Sequence, residues 1–331
     1  MHITRKNLLR IAKETALKSA LSDPGLVAAY LTGSLRSDNP FLGNATDIDI
    51  VFVHAGEPQI HREIIPLTPE IHLDIFHNPR SLYDKPKELR VHPWLGPELY
   101  DPLPLYDPQH FFEFIQAGVR DRYHEPANVQ LRSQLLAENA RQVWSNLQPA
   151  QTYGPEQVLG YLKSISLAAN AVALLAGDPL TERRFLLQFP ARAQAAGQPG
   201  LADELISLLG ANQVDGTMLA GFLPEWEKAF LEATGIPTVN RRIAAARLGY
   251  YKLAFESMLE SEMPQTSLWP MLLTWTLSAS VLPPNWDVHW RSACEMLGLD
   301  EASFGERLDE LDHFLDVVEA IQENLADSQV S

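Results

Sequence analysis

The chain has 331 residues, of which 46% are hydrophobic and 21% charged, a composition that is ordinary for a folded protein and excludes wholesale disorder. Its 26 Lys and Arg against 42 Asp and Glu give a formal net charge of −16, which argues against a nucleic-acid-binding protein, because such proteins usually carry a basic surface for phosphates. With no apolar run of membrane-spanning length and only one cysteine, Cys294, we expect a cytoplasmic protein without disulfides, without a Cys-based zinc cluster and without a membrane partner.

The first 107 residues show the pattern of a small α/β domain. Apolar positions at helical spacing predict a helix over residues 4–20, which Asp23-Pro24-Gly25 ends. Short apolar or alternating runs then predict strands, the last of which contains Pro104 and is expected at a sheet edge. The predicted strands cover residues 26–32, 48–53, 63–68, 70–77 and 103–106.

After Asp107-Pro108 the pattern changes, and amphipathic helical periodicity recurs to the end of the sequence. Among the predicted helices are those over residues 126–146, 155–176, 216–233 and 238–260. The sequence therefore predicts an α+β protein with a small mixed-sheet domain over 1–107 and a larger all-α domain over 108–331. Residues 1–107 hold 11 basic and 14 acidic side chains, a balance of −3, which leaves −13 for the remainder.

Three acidic residues in the first domain carry the candidate chemistry. Asp47 and Asp49 open the second predicted strand, and Asp74 lies in the middle of a later one. Because side chains alternate along a strand, Asp47 and Asp49 project from the same face. Neighbouring carboxylates repel each other and are costly to keep ionised without a cation, so a third carboxylate from an adjacent strand would complete an oxygen-rich site suited to Mg²⁺. His72 shares the face of Asp74 and is either a further site residue or an ordinary strand histidine.

Gly33-Ser34 closes the first predicted strand and suits the binding of a phosphate. A glycine at a strand end lets a phosphate approach the backbone, where free N–H groups and the serine hydroxyl can bind it. Arg36 follows two residues later and is a candidate for contact with a nucleotide.

These residues together resemble the core of the DNA polymerase beta-like nucleotidyltransferase superfamily. The resemblance rests on Leu31-Thr32-Gly33-Ser34, on Thr46-Asp47-Ile48-Asp49-Ile50-Val51 and on Asp74, and it covers about the first 107 residues. A small catalytic domain followed by a helical one is similar to the aminoglycoside adenylyltransferases.

The resemblance implies transfer of a nucleoside monophosphate to a hydroxyl of a small acceptor, with release of pyrophosphate. The expected donor is ATP, so that the group transferred is AMP. It implies that Asp47 and Asp49 ligate two Mg²⁺ ions. Asp74 would ligate the ion nearer the acceptor and take the acceptor's proton. Gly33 and Ser34 would hold the β and γ phosphates.

A polar stripe on the predicted helix 155–176 offers a further candidate. Glu156, Lys163 and Asn170 recur every seven residues, close to two helical turns, and so share one face. Lys163 could reach the triphosphate and Glu156 the acceptor, but an exposed polar face on an ordinary amphipathic helix explains the pattern equally well.

Two other functions remain open at the level of the sequence. The acceptor could be a protein side chain, as in superfamily members paired with toxins, although those members are typically shorter. Alternatively, the chain could be a nucleotide-binding or interaction module without turnover. The acidic second domain could attract a cationic acceptor, or it could simply be a solvated surface.

Overall fold

A computed structural model describes residues 3–147, 153–237, 240–286 and 288–330. The chain divides into two compact units, Met1–Tyr123 and His124–Ser331. The first contains a mixed sheet and the second is helical, which confirms the predicted α+β class. The division falls after the boundary predicted at residue 107, because a helix over Phe111–Arg120 packs on the sheet of the first unit.

Five strands of the described residues form one sheet in the first unit. They are β1 (Leu26–Leu31), β2 (Thr46–His54), β3 (Arg62–Pro66), β4 (Ile71–Pro79) and β5 (Leu103–Tyr106). Their order in the sheet is β3-β4-β2-β1-β5, so β5, which contains Pro104, lies at an edge as predicted. β2 and β4 run parallel, and the other neighbouring pairs are antiparallel.

Each face of this sheet is covered by helix. On one face, α1 (Arg5–Ser22) buries Leu8, Ala12 and Ala16 against alternate residues of the central strands, among them Ile48 and Ile50. The other face packs against α2 (Pro86–Arg90), α3 (Leu95–Tyr100) and α4 (Phe111–Arg120). The alternation along β2 thus sends Ile48 and Ile50 towards α1, and Asp47 and Asp49 towards the opposite face.

The second unit is built around a separate core of helices. Buried tryptophans anchor this core, and two of them have an internal partner for the indole N–H group: Trp226 donates to Thr274 Oγ1 at 2.9 Å and Trp290 to Thr276 Oγ1 at 3.0 Å. Its helices are α5 (Pro126–Leu147), α6 (Pro155–Leu174), α7 (Phe185–Ala195), α8 (Leu201–Leu208), α9 (Gly216–Ala233), α10 (Leu248–Leu259), α11 (Leu268–Ala279), α12 (Val288–Met296) and α13 (Phe304–Val330). Within the described ranges, no helix has both the length and the hydropathy needed to cross a membrane.

The predicted helix over 238–260 is shorter in the structure. Residues 238 and 239 lie outside the described ranges, and the following segment forms two 3₁₀ turns, Arg241–Ile243 and Ala245–Arg247, before α10 begins at Leu248. The Asn240 side chain accepts a hydrogen bond from the Arg242 N–H at 3.0 Å, which favours a turn over a continuous helix at this point.

Candidate functional site

The parallel pairing of β2 with β4 decides which side chains meet. Asp47 lies opposite His72 and Asp49 lies opposite Asp74 in the register of the two strands. Directly paired residues project to the same side of a sheet, so all four side chains share one face. Asp47, His72 and Asp74 are buried, with 5%, 0% and 1% of their surfaces exposed, whereas Asp49 is half-buried. Asp74 is therefore on the same side of the sheet as the two aspartates of β2.

Asp47, His72 and Asp74 form the group whose ligand atoms lie within 4.8 Å of one another. Among the described residues, Asp49 is not a member of this group. His72 takes the place in the group that the sequence analysis assigns to Asp49. Two carboxylates buried this close together favour a cation between them, and carboxylate oxygens with one imidazole nitrogen are a donor set for a divalent metal ion.

The Asp49 side chain is instead held against the turn that follows β1. Gly33 has a φ of +70°, and a Cβ added there would lie 1.9 Å from Asp49 Oδ2. The Thr32 N–H also donates to the Asp49 carbonyl at 3.0 Å. Only glycine fits this position, because any side chain would displace the carboxylate and would also strain the backbone. The predicted phosphate-binding turn and Asp49 are thus adjacent.

Ser34 and Arg36 lie in a 3₁₀ turn, Ser34–Arg36, which starts directly after Gly33. The Ser34 hydroxyl lies 3.0 Å from Thr46 Oγ1, and the Arg5 guanidinium donates to the Leu35 carbonyl at 2.9 Å, so the turn is tied both to β2 and to α1. Arg36 is half-buried, with Nη2 3.7 Å from Asp101 Oδ2. The turn is therefore a fixed element whose Gly33 backbone remains exposed.

Arg62, which the sequence reasoning missed, contacts the third carboxylate directly. Its Nε and Nη2 donate to Asp74 Oδ1 and Oδ2 at 2.8 and 2.6 Å, a bidentate pair that engages both oxygens. The guanidinium also lies 4.6 Å from the centroid of the Phe76 ring. The available signal was an arginine at the start of the strand that lies beside a buried aspartate. The sequence predicts this strand to start one residue later, at residue 63, and so leaves Arg62 outside it.

A second feature that the sequence did not reveal is a buried polar cluster behind the turn. Tyr30 of β1 donates a short hydrogen bond to Glu98, and its hydroxyl lies 3.2 Å from that of Tyr83. Burial raises the pKa of Glu98, against the hydrogen bond from Tyr30 and the nearby charge of Arg36, both of which lower it. The cluster therefore brings the Glu98 carboxyl group close to Arg36, beside the turn.

Lys163 lies in the second unit, on α6, and its side chain is exposed, as is that of Glu156. Asn170, the third residue of the predicted stripe, is buried and structural: its Oδ1 accepts from the Leu180 N–H at 2.6 Å and its Nδ2 donates to the Ser166 carbonyl at 3.0 Å. Contact of Lys163 with a triphosphate remains a prediction.

Comparison with known proteins does not assign the chain to a family. The chain matches no family model and no curated protein.

Proposed function

We propose that this chain is a Mg²⁺-dependent nucleotidyltransferase of the cytoplasm, which moves AMP from ATP to a hydroxyl of a small acceptor. The observation that supports this most directly is the register of β2 and β4, which puts Asp47, Asp49 and Asp74 on one face of the sheet. A glycine turn of the kind that binds phosphate lies against one of these carboxylates.

The buried side chains suit a divalent cation. Asp47 and Asp74 supply hard carboxylate oxygens, and His72 supplies a nitrogen that Mn²⁺ also accepts. Asp49, beside Gly33, would join them once a nucleotide with its metal ions is present. When bound, the ions would stabilise the charge on the attacking and leaving oxygens of the phosphoryl group.

The chain's own residues account for binding and proton transfer. The exposed backbone at Gly33 and the hydroxyl of Ser34 would hold the β and γ phosphates, with Arg36 beside them. A bond would form between the acceptor oxygen and the α-phosphorus as the bond to the β-phosphate oxygen breaks, releasing pyrophosphate. The acceptor's proton would pass to Asp74, whose two oxygens also accept the hydrogen bonds from Arg62.

The charge of the second unit supports a small, cationic acceptor. Residues 124–331, which form this unit, carry 26 acidic and 13 basic side chains, a balance of −13. Such a field raises the local concentration of cations and lowers that of polyanions.

One observation favours a second candidate, a nucleotide-binding module without turnover. The bidentate contact of Arg62 compensates the charge of Asp74 without a metal ion, as expected for a protein that has replaced its third metal ligand by an ion pair. The two candidates differ in whether pyrophosphate is released.

The test is incubation with ATP labelled at the α-phosphate, Mg²⁺ and a panel of cationic and neutral hydroxyl compounds. We expect labelled acceptor and pyrophosphate in equal amounts, and we expect Asp49→Asn to abolish both. Asp38→Asn, which changes an exposed aspartate of the neighbouring loop, is the matched control and should retain activity. Turnover retained in Asp49→Asn would reject the site assignment, whereas Mg²⁺-dependent ATP binding without pyrophosphate release would favour the binding module.

A further inference from the structure

His72 is completely buried on the face of the sheet that carries the aspartates. Its neighbours along β4, Ile71 and Leu73, belong to the apolar cluster under α1, so the alternation of the strand turns the His72 imidazole to the opposite face. The register with β2 then sets this ring beside Asp47, and 0% of the surface of His72 is exposed. The fold therefore brings an imidazole nitrogen to the same place as the carboxylate oxygens.

The donor atoms of this group are close enough to serve one ion. Those of Asp47, His72 and Asp74 all lie within 4.8 Å of one another. Two atoms that each lie about 2.1 Å from a metal ion are about 3.0 Å apart when they are at right angles and about 4.2 Å apart when they are opposite. Small rotations of the side chains therefore suffice to bring all three donors to one ion, and the strands need not move.

The donor set determines which ion fits best. Mg²⁺ is a hard ion that takes oxygen ligands, whereas imidazole nitrogen suits the first-row transition ions. For a given set of nitrogen and oxygen ligands, Mn²⁺ is the weakest binder of that series, and later members such as Zn²⁺ bind more tightly. An imidazole from His72 in the place expected for the Asp49 carboxylate therefore favours a transition ion.

The burial of the group favours the same ions. Asp47 and Asp74 expose only 5% and 1% of their surfaces. Mg²⁺ loses its water reluctantly and usually keeps several water ligands, for which such a buried group leaves little room. Zn²⁺, by contrast, commonly takes all four of its ligands from the protein in structural sites. Donor chemistry and burial thus indicate one class of ion.

We propose that His72 sets the metal preference of the candidate site: Asp47, His72 and Asp74 bind a transition-metal ion of the Mn²⁺ to Zn²⁺ series in preference to Mg²⁺, and they bind it without a nucleotide. Mg²⁺ would fill the same position only at higher concentration. The role of this ion in catalysis rests on the proposed nucleotidyltransferase function, but the metal preference itself does not.

Asp49 leaves a second position for the Mg²⁺ that accompanies a nucleotide. Its carboxylate lies against Gly33 and is half-buried, so it is more accessible than the donors of the buried group. A nucleotide held at the turn would bring its own Mg²⁺ to the side of Asp49. The two positions would therefore differ in their donors, with nitrogen and oxygen in the buried one and oxygen alone in the open one.

Arg62 does not exclude an ion from Asp74. It donates to both carboxylate oxygens, at 2.8 and 2.6 Å, but each oxygen has a second lone pair. A ligating carboxylate is commonly held by an outer hydrogen-bond donor, which fixes its orientation. The positive charge of Arg62 should lower the affinity for all divalent ions alike, because they carry the same charge, and so leave the preference among them to His72.

The first test measures metal binding by the full chain without nucleotide, after a chelator has removed bound metals. The EPR signal of free Mn²⁺ gives the Mn²⁺ affinity, and competition gives the affinities for Mg²⁺ and Zn²⁺. We expect wild type to bind Mn²⁺ at least about tenfold more tightly than Mg²⁺, and Zn²⁺ more tightly still. His72→Gln replaces the nitrogen by a hard amide oxygen, so it should lower the ratio of Mn²⁺ to Mg²⁺ affinity at least about fivefold and keep the Mg²⁺ affinity.

The matched control is His77→Gln. His77 is a largely buried histidine of the same strand, but it is paired with Phe52 and lies on the α1 side of the sheet. This substitution should leave the ratio of the two affinities unchanged, whatever its effect on stability.

A spectroscopic measurement on wild type makes the result independent of whether His72→Gln folds. A histidine nitrogen bound to Mn²⁺ gives a ¹⁴N modulation in pulsed EPR, which changes to the ¹⁵N pattern in protein made with ¹⁵N-histidine. We expect this signal in wild type and in His77→Gln, and its absence in His72→Gln. Asp47→Asn, which is nearly isosteric, should lose the bound Mn²⁺ and so assign the signal to this group.

The proposal is overturned if wild type prefers Mg²⁺, if the bound Mn²⁺ shows no histidine nitrogen, or if the signal survives in Asp47→Asn or His72→Gln. Failure of the proposed function gives a different result. A nitrogen-bound Mn²⁺ in a protein that releases no pyrophosphate with either ion keeps the metal preference and rejects the activity. Pyrophosphate release together with a bound Mn²⁺ that lacks a histidine nitrogen keeps the activity and rejects the role of His72.

Discussion

At the scale of single residues, one feature of the candidate site is a backbone that lies directly against a carboxylate. Gly33 allows Asp49 to lie where a Cβ would have to be, and the two residues come from segments that only the sheet brings together. The glycine thus has two roles: it adopts a positive φ, and it leaves space for a side chain that the proposed chemistry needs.

Gly33→Ala separates these roles when it is compared with Gly197→Ala. Both glycines have a positive φ, +70° and +75°, but a Cβ at position 197 would meet nothing within 4 Å. Gly197→Ala should cost about 1 kcal/mol of unfolding free energy from backbone strain alone. Gly33→Ala should cost more, because Asp49 must move, and it should also abolish Mg²⁺-dependent ATP binding. Equal losses of stability with ATP binding intact in both variants would contradict the role assigned to this contact.

Arg62 gives a second prediction at this scale. Arg62→Ala removes a guanidinium from Asp74, whose surface is only 1% exposed, and breaking such a buried pair costs about 3–5 kcal/mol. Because a divalent ion can supply the lost positive charge, Mg²⁺ or Mn²⁺ should raise the melting temperature of the variant more than that of wild type. Differential scanning calorimetry with and without the ions measures both effects.

The matched control for Arg62→Ala is Arg10→Ala. Arg10 forms an exposed ion pair with Glu14, and the loss of such a pair typically costs 1 kcal/mol at most, about the level of a surface substitution. If Arg62→Ala is no less stable than Arg10→Ala and responds to the ions as wild type does, then Arg62 and the metal ions do not share Asp74.

The aspartates of the site were predictable from the sequence, but their grouping was not. Alternation along β2 correctly put Asp47 and Asp49 on one face, because it needs only the period of a strand. Which carboxylate approaches Asp74 depends on side-chain torsions and on the neighbouring turn. These set Asp49 against Gly33 and leave His72 in the buried group. Arg62 was not predicted as a site residue for a related reason, because its partner, Asp74, lies on another strand.

At the scale of elements, the five predicted strands are confirmed because each is a short apolar or alternating run with a clear break after it. Their partners could not be predicted, because periodicity does not say which strands pair. The helix predicted over 238–260 was too long at its start. Apolar spacing continued through Ala244 and Ala245, but arginines in that segment bind an acidic residue elsewhere and hold it in turns.

That acidic residue is Glu182, which joins three segments of the second unit. Its carboxylate accepts hydrogen bonds from Arg242 in one 3₁₀ turn, from Arg247 in the next at 3.2 Å, and from the Tyr251 hydroxyl of α10 at 2.6 Å. Burial raises the pKa of Glu182, but the charges of Arg247 and Arg242 outweigh it and lower the value to about 2.

A lowered carboxyl pKa stabilises the folded protein above the unfolded pKa and loses that effect as the pH falls towards the folded value. Glu182→Gln should therefore lose about 3 kcal/mol of unfolding free energy at pH 7. The difference from wild type should fall to less than half of this by pH 3, because the wild-type carboxylate is then losing its advantage. Urea unfolding at the two pH values measures the change. A difference that is independent of pH would show that packing, and not charge, explains the effect of the substitution.

At the scale of the whole molecule, the two units have separate hydrophobic cores and unequal charge. The core of the second unit forms one cluster of helices, whereas the first unit has a cluster on each face of its sheet. The acidic excess is concentrated after residue 107, where the balance is −13 of a total of −16. The charge distribution could be read from the sequence directly, but the position of the division could not, because α4 resembles the later helices and yet packs on the sheet.

The acidic excess predicts how salt should affect the choice of acceptor. Raising the ionic strength from about 0.02 to 0.3 M shortens the screening length from about 20 to about 6 Å. The attraction of a cation to the acidic unit then weakens, so the KM of a cationic hydroxyl acceptor should rise several-fold with little change in kcat. A neutral acceptor, assayed at the same saturating ATP and Mg²⁺, controls for effects of salt on the nucleotide and should keep its KM. If both acceptors respond alike, the charge of the second unit is a solvated surface that plays no part in selecting the substrate.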